Sequence, residues 1–256
     1  MATMAMLNDV SKCMACRACQ VACKGWNDLP AETTRNWGTY ENPPRLSAHT
    51  WTRVQFRETA ASAVEWAFLK GQCMHCTDAP CVAVCPTGAM RKVDNNFVVV
   101  DQDWCIGCRY CVQSCPYQVP ALDPATGTVK KCTFCVDRVT NGLRPACAKA
   151  CPTGAISFGT REEMMAQAQQ RVAFLQGNGF SEAQVYGDRQ LSGLNVIYVL
   201  THPPAFYGLP EDPAQPSVTL LSDWLSGLGA GAILGVVPFW WILKRRTEMA
   251  IQEGGE

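Results

Sequence analysis

The sequence predicts an α+β fold with two cysteine-rich units of related pattern, followed by a single C-terminal transmembrane helix. Three observations support this prediction. The 256 residues contain 16 cysteines, which fall into four groups of four. The groups alternate between two spacings, so that the second half of the pattern repeats the first half. A stretch without charged residues, 224–243, lies near the C-terminus.

The composition excludes two broad classes of protein. Basic and acidic residues balance at 22 each and give a formal net charge of zero, which argues against nucleic-acid binding through a basic surface. A hydrophobic fraction of 48% is too high for an intrinsically disordered chain. The high cysteine content is compatible with two classes of protein, which are a disulfide-linked protein and a metalloprotein with several metal centres.

The cysteine spacing favours iron–sulfur clusters. The first and third groups have the spacing C-x2-C-x2-C-x3-C, which is typical of bacterial ferredoxins that bind two clusters and in which the fourth cysteine binds the neighbouring cluster. Because each cubane needs four thiolates, the sequence predicts four 4Fe-4S clusters. The four groups are Cys13, Cys16, Cys19 and Cys23; Cys73, Cys76, Cys81 and Cys85; Cys105, Cys108, Cys111 and Cys115; and Cys132, Cys135, Cys147 and Cys151.

Two other uses of these cysteines fit the sequence less well. Disulfides rarely repeat C-x2-C four times, because cysteines this close in a turn bridge only with strain. Structural zinc sites use pairs of C-x2-C, so four zinc ions are arithmetically possible. The triple run C-x2-C-x2-C, however, has no place in a zinc ribbon.

The second and fourth groups also resemble each other. Both end in Cys-Pro-Thr-Gly-Ala, at 85–89 and at 151–155, so the chain reads as a duplicated ferredoxin-like unit. The spacing allows two pairings of the groups. In one pairing, group one forms a unit with group two, and group three forms a unit with group four. In the other, groups two and three form one unit that is inserted between groups one and four, which form the second unit.

Few secondary-structure elements are predicted around the cysteines. A strand is predicted at 97–100 and another at 195–200. A helix is predicted over 160–176, because Thr160 and Glu163 form a capping box and Gly177 follows. Five prolines between 202 and 216 predict a proline-rich linker over 201–217.

The C-terminal stretch predicts a transmembrane helix over 218–243. Its uncharged part would span ~30 Å as a helix, the thickness of a hydrocarbon core. Lys244, Arg245 and Arg246 follow directly, so the positive-inside rule places the tail 244–256 in the cytoplasm and the cysteine-rich domain in the periplasm. Residues 1–12 show no export signal, so we expect export together with a partner. A buried helix folded back on a soluble protein is the alternative.

Several tracts resemble the iron–sulfur (beta) subunit of membrane-bound respiratory formate dehydrogenases. They include Trp26-Asn27-Asp28, the tract Asn-Pro-Pro-Arg-Leu-Ser at 42–47 and Lys-Cys-Thr-Phe-Cys-Val-Asp-Arg at 131–138. The similarity runs from near residue 8 through the predicted transmembrane helix. The cysteine motifs alone fit many four-cluster subunits of molybdopterin oxidoreductases. The other tracts and the C-terminal anchor narrow the resemblance to formate dehydrogenase. One departure is Lys24, which follows the first group where the motif has proline.

The resemblance implies the nested pairing. A first ferredoxin-like unit then comprises 1–71 and 117–200 with their extensions, and a second unit, 72–116, is inserted in it. The implied ligand sets are the Cys13 set (Cys13, Cys16, Cys19 and Cys151), the Cys23 set (Cys23, Cys132, Cys135 and Cys147), the Cys73 set (Cys73, Cys76, Cys81 and Cys115) and the Cys85 set (Cys85, Cys105, Cys108 and Cys111).

The resemblance also implies a function and partners. In that family a catalytic (alpha) subunit with a molybdenum or tungsten bis-pterin cofactor oxidises formate and carries the export signal. The beta subunit passes electrons, here from the Cys13 set towards the Cys85 set, to a membrane cytochrome b (gamma) subunit that reduces quinone. The alternative is the equivalent subunit of a membrane hydrogenase or of a nitrate, sulfur or dimethyl-sulfoxide reductase. No catalytic residue is expected on this chain, since it lacks a nucleophile–base motif.

Side chains beside the ligands are candidates for tuning cluster potentials. His75 lies between two ligands, and a hydrogen bond from it to a cluster sulfur would raise the potential; a packing role is the alternative. Four cations adjacent to ligands are also candidates for tuning cluster potentials. A solvated surface position is the simpler interpretation for most of them. They are Lys24, Arg109, Lys130 and Lys131.

Overall fold

A computed structural model describes residues 3–60, 64–214 and 237–244. Its strands are β1 (Met4–Asp9), β2 (Arg53–Ala60), β3 (Val64–Gly71), β4 (Met90–Val93), β5 (Phe97–Val100), β6 (Ala121–Asp123), β7 (Thr128–Lys130), β8 (Ile156–Thr160), β9 (Gln184–Tyr186) and β10 (Val196–Leu200). Its helices are α1 (Ala18–Trp26), α2 (Pro80–Ala83), α3 (Tyr110–Ser114), α4 (Val136–Thr140), α5 (Ala146–Lys149) and α6 (Arg161–Gly177).

A four-stranded mixed sheet joins the two ends of the cysteine-rich domain. Its strand order is β8-β1-β10-β9, with β1 parallel to β10 and antiparallel to β8. The N-terminal strand therefore lies between strands that follow the fourth cysteine group. The predicted strand at 195–200 is confirmed as β10, all of whose residues are buried.

The two faces of this sheet serve different parts of the core. Ile197 and Val199 of β10 pack with Met164 and Ala168 of α6. Tyr198, which alternates with them along the strand, faces the larger core that contains the cysteines. This follows from the two-residue period of a strand. The sheet thus separates α6 from the cysteine groups.

The capping box predicted for the long helix is present. The Glu163 N–H donates to the Thr160 hydroxyl oxygen at 3.2 Å, and the Thr160 N–H donates to Glu163 Oε2 at 3.0 Å. These bonds satisfy backbone donors that the first turn of a helix leaves free. The helix begins at Arg161 and ends at Gly177, one residue later at each end than the predicted range 160–176.

Three hairpins complete the domain. β4 and β5 pair with Met90 opposite Val100, which confirms the predicted strand at 97–100. β6 pairs with β7, and β2 pairs with β3 over their whole lengths. The β2–β3 hairpin is not predicted from the sequence, because its apolar alternation is brief and interrupted by charged residues.

Part of the predicted proline-rich linker packs on the domain. Tyr207 is buried, and its hydroxyl lies 2.8 Å from the Thr201 hydroxyl. The Tyr186 hydroxyl donates to the Pro210 carbonyl oxygen at 2.8 Å. The compact body therefore continues beyond residue 200, because these aromatic and carbonyl groups find partners on it.

The chain divides into two compact units, Met1–Gln215 and Pro216–Glu256. Within the second unit, 237–244 form a helix whose side chains are exposed. None of the helices in the three described ranges is long and apolar enough to cross a membrane. Most of the predicted transmembrane helix, 218–236, and the predicted tail after Lys244 lie outside the described residues.

Candidate metal centres

The first and third cysteine groups have the same backbone shape. Ala15 and Arg17 have positive φ angles of 56° and 61°, and the corresponding Gly107 and Arg109 have 67° and 66°. Arg17 and Arg109 directly precede α1 and α3. Such left-handed residues turn the chain sharply, so that the thiols on either side can face a common space.

The second and fourth groups also correspond to each other. His75 and Phe134 occupy the same place inside their C-x2-C pairs, and both have positive φ angles, 48° and 61°. The third cysteines, Cys81 and Cys147, lie on the short helices α2 and α5. The duplication that the sequence suggests is therefore present in the backbone.

Helix packing brings particular groups together. Helix α1, which carries Cys19 and Cys23, packs against α5 of the fourth group. Helix α2 of the second group packs against α3 of the third group. Groups one and four therefore lie side by side, and so do groups two and three.

Two cavities are lined by complete sets of four thiols. One is bounded by Cys13, Cys16, Cys19 and Cys151. The other is bounded by Cys73, Cys76, Cys81 and Cys115. In the described part of the chain, no three His, Cys, Asp or Glu side chains converge on a single metal ion; the thiols surround a space instead. The fourth thiol of each cavity comes from a different cysteine group: Cys151 of group four joins three thiols of group one, and Cys115 of group three joins three thiols of group two.

The other eight cysteines are neighbours in two further sets. Burial raises the pKa of Cys135 to about 12, and the thiolates of Cys147 and Cys23 contribute to the increase. Burial likewise raises the pKa of Cys111 to about 11, and Cys105, Cys108 and Cys85 add to it. Burial raises the pKa of Cys132 well above its usual value, and Cys23, Cys73 and Cys135 add to the increase. These neighbours are the ones expected for the Cys23 and Cys85 sets that the family resemblance implies, and all four ligand sets stay predictions.

The thiols fit a site that binds a cationic group. All 16 cysteines are free of disulfides. Burial raises the pKa of Cys19 and of Cys81 to about 12, so these thiols would remain protonated near neutral pH without a compensating cation. Iron supplies that charge in thiolate-ligated clusters. The 4Fe-4S cluster therefore fits this donor set.

Backbone donors point at several sulfur atoms. The Met90 N–H donates to Cys85 Sγ at 3.3 Å, and the Val129 N–H donates to Cys105 Sγ at 3.3 Å. The Phe134 N–H donates to Cys132 Sγ at 3.4 Å. Such bonds stabilise thiolate charge, and around a cluster they influence its potential.

The four cations adjacent to ligands differ in their surroundings. Arg109 is exposed and Lys24 is half-buried. Lys130 lies 2.7 Å from Asp123 and so has a carboxylate partner. Only Lys131 among these four is buried: its ammonium donates to the carbonyl oxygens of Cys132, at 3.0 Å, and of Val98. Lys131 also lines the cavity of the Cys73 set, so a solvated position does not apply to it.

His75 is fully buried. Its Nδ1 accepts a hydrogen bond from the Val98 N–H at 3.0 Å, so the neutral ring carries its proton on Nε2. Burial lowers the pKa of His75 well below the usual value, and Lys131 and Lys70 act in the same direction. Nε2 has no partner within the described residues. A buried donor without a partner is costly, and a cluster sulfur would relieve that cost.

Lys70 is a site residue that the sequence interpretation missed. It lies on β3, three residues before Cys73, and is buried. It also lines the cavity of the Cys13 set, which belongs to a different cysteine group. Adjacency to a ligand in sequence could not identify it. The one available signal is a lysine within the apolar run that leads into the second group.

Comparisons with known proteins agree with this site. A 4Fe-4S dicluster domain model matches residues 12–89, and another matches residues 64–161. The nitrate-inducible formate dehydrogenase iron-sulfur subunit of Escherichia coli is 45% identical over 239 residues, which cover 91% of this chain and 81% of that protein. The formate dehydrogenase iron-sulfur subunit of Haemophilus influenzae is 44% identical, with 91% of this chain and 77% of that protein covered.

A relative from another oxidoreductase is also similar. The thiosulfate reductase electron transfer subunit of Salmonella typhi is 43% identical over 162 residues, which cover 62% of this chain and 76% of that protein. The formate dehydrogenase subunits match over more of this chain at similar or higher identity. The matches to 4Fe-4S dicluster domains and the extent of the similarity show that the chain belongs to the family of formate dehydrogenase iron–sulfur subunits.

Proposed function

We propose that this electron-transfer subunit connects a formate-oxidising catalytic (alpha) subunit, which holds a molybdenum or tungsten bis-pterin cofactor, to a cytochrome b (gamma) subunit that reduces quinone. The observation that carries the proposal is that 16 thiols, all free of disulfides, include two groups of four that each line one cavity. Bound 4Fe-4S clusters would supply one-electron exchange at each set. The Cys13, Cys23, Cys73 and Cys85 sets are the proposed ligands of the four clusters.

The neighbours of individual thiols support a linear order of the sets. Cys19 of the Cys13 set is close enough to Cys147 of the Cys23 set for their charges to interact. Cys132 of the Cys23 set interacts in the same way with Cys73. Cys81 of the Cys73 set interacts with Cys111. Each set therefore adjoins the next, as expected for an electron path from the Cys13 set to the Cys85 set.

We also propose that the chain is anchored in the inner membrane by a helix over 218–243, with its cluster domain in the periplasm and residues 244–256 in the cytoplasm. The uncharged stretch 224–243 and the basic residues that follow it support this arrangement. The exposed apolar side chains of the helix at 237–244 are consistent with a lipid environment. Export would depend on the catalytic subunit.

A second candidate is the electron-transfer subunit of another oxidoreductase. The similarity to the thiosulfate reductase electron transfer subunit favours it, because the same ligand sets would serve any catalytic partner. Membrane hydrogenases and nitrate, sulfur or dimethyl-sulfoxide reductases belong to the same class of alternatives. The identity of the catalytic subunit distinguishes all of them from formate dehydrogenase.

Purification of the intact complex in mild detergent tests the proposal. We expect about 16 iron atoms with matching labile sulfide per chain, from four clusters of four, together with a pterin-containing subunit and a cytochrome b. A preparation without labile sulfide would contradict the cluster assignment. Co-purification with a catalytic subunit that does not oxidise formate would replace formate dehydrogenase by one of the alternatives.

A substitution separates electron transfer from catalysis. In Cys111→Ser, formate-dependent reduction of quinone should be lost, whereas formate oxidation with a dye that accepts electrons at the catalytic subunit should persist. Ser181→Ala, at an exposed position, is the matched control and should retain both activities. Normal quinone reduction by the Cys111 variant would contradict the proposed path.

A further inference from the structure

Lys70 lies between two of the proposed cluster sites. It lines the cavity bounded by the Cys13 set. Its ammonium also interacts electrostatically with Cys19 of the Cys13 set and with three members of the Cys23 set, which are Cys147, Cys132 and Cys23. Only 4% of the residue is exposed to solvent. Its position is therefore inside the domain, next to thiols of the first two sets.

No carboxylate in the described part of the chain balances this charge. No carboxylate oxygen of the described residues lies within ion-pair distance of the Lys70 ammonium. This ammonium donates to the Met6 sulfur at 3.8 Å. Asp9 lines the same cavity but forms ion pairs with Arg171 at 3.0 Å and with Lys12 at 3.5 Å. A buried charge without a partner is strongly unfavourable. The thiolates are the anionic groups that remain to compensate it.

A fixed cation in this position acts differently on the two oxidation states of a cluster. Reduction adds one negative charge, and a nearby positive charge inside a low-dielectric domain stabilises the reduced state more than the oxidised state. Solvent and salt screen such a charge weakly when it is buried. The charge of Lys70 therefore makes a neighbouring cluster easier to reduce.

Given the proposed four-cluster function, we propose that Lys70 is a positioning residue that raises the potentials of the clusters held by the Cys13 set and by the Cys23 set. Lys70 lines the cavity of the Cys13 set, and its ammonium interacts with three thiols of the Cys23 set. The Cys85 set, for which the described contacts include none with Lys70, should be unaffected. Lys70 would thus set the step at which electrons enter the subunit.

Lys131 provides an internal comparison. It is also buried, but it lines the cavity of the Cys73 set and its ammonium is held by two carbonyl oxygens. Neutralising Lys131 should therefore act on the Cys73 set, while neutralising Lys70 acts on the Cys13 and Cys23 sets. The two substitutions remove the same charge from different places.

The test is a potentiometric titration of the intact, iron-loaded complex followed by electron paramagnetic resonance. The signals are first assigned with Cys19→Ser and Cys115→Ser, which remove ligands of the Cys13 and Cys73 sets. In Lys70→Met we expect the reduction equilibrium of the Cys13 cluster to shift at least tenfold towards the oxidised state, about 59 mV for one electron. Lys70→Arg should keep the native potential, and Lys131→Met should move the Cys73 cluster instead.

Failure of this inference can be distinguished from failure of the proposed function, because the iron and sulfide content of the unmodified complex tests the presence of the clusters independently. Unchanged potentials in Lys70→Met, or an equal shift of all four clusters, would overturn the inference. If Lys70→Met and Lys70→Gln both fail to load iron while Lys70→Arg loads normally, a required positive charge is supported. If Lys70→Arg fails as well, the side chain serves packing and the inference is wrong.

Discussion

Phe134 connects the two proposed nested units through an aromatic cluster. Its ring stacks on Phe97 with centroids 4.1 Å apart and an interplanar angle of 11°, and it meets His75 edge-on at 4.8 Å. Phe97 and His75 belong to 72–116, whereas Phe134 and its further neighbour Phe158, at 6.1 Å, belong to 117–200. Phe134 therefore packs at the junction of the units and between the ligands Cys132 and Cys135.

Truncating this side chain should be strongly destabilising. Phe134 is 1% exposed and Phe97 is 0% exposed, so Phe134→Ala leaves a cavity in a closed core and should cost about 3–5 kcal/mol. For a body of this size each kcal/mol lowers the midpoint of thermal unfolding by about 2–4 °C. We therefore expect a decrease of about 6–20 °C, accompanied by earlier loss of iron.

Thermal unfolding of the iron-loaded protein at one fixed heating rate measures this effect, with visible absorption reporting the clusters and circular dichroism reporting the fold. Phe180→Ala is the control, because Phe180 is 39% exposed and its truncation should change stability by less than about 0.5 kcal/mol. Equal decreases for Phe134→Ala and Phe180→Ala would refute the role of the junction. A double-mutant cycle of Phe97→Leu with Phe134→Leu should give a coupling of about 0.5–1.5 kcal/mol.

Three further predictions concern the ligand sets. Cys115→Ser and Cys19→Ser should each remove a different cluster signal in electron paramagnetic resonance; loss of the same signal would contradict the nested pairing. Gly107→Ala should make the cluster of the Cys85 set easier to remove with a chelator, because a Cβ there would overlap the carbonyl oxygen of Gly127. Gly127→Ala is the control: Gly127 has a similar φ but open space around it, so this substitution should have a smaller effect in the same assay. His75→Phe keeps the packing volume but removes the unpartnered Nε2 donor, so the potential of one cluster should fall in a redox titration; unmoved potentials would leave packing as its role.

Local elements were predictable because their signals lie close together in the chain. The capping box of Thr160 and Glu163 specifies the start of α6 within four residues, and β5 and β10 are short apolar runs between turn residues. The β2–β3 hairpin was not predictable, since the charged residues in it interrupt the apolar alternation. The packing of Tyr207 on the domain depends on partners elsewhere in the chain, so the proline-rich composition alone suggested only a linker.

The sequence by itself determined the chemistry of the site. The spacing of the cysteines specified iron–sulfur ligation, its repetition specified a duplication, and four complete groups left no thiol for disulfides. These conclusions follow from covalent spacing, which restricts how far thiols can lie from one another. Spacing within a group, however, leaves open which group supplies the fourth ligand of each cluster.

Only the tertiary structure brought the groups together and showed what surrounds them. The packing of α1 on α5 and of α2 on α3 places groups one and four, and groups two and three, side by side. Within the described ranges, Lys70 is buried without a carboxylate partner and Nε2 of His75 has no hydrogen-bond partner. Both features likewise depend on which distant strands and loops exclude water. Electrostatic interactions act through space and depend on burial, so the tertiary structure determines which residues tune the potential of a cluster. The residues that bind the cluster can be identified from the sequence.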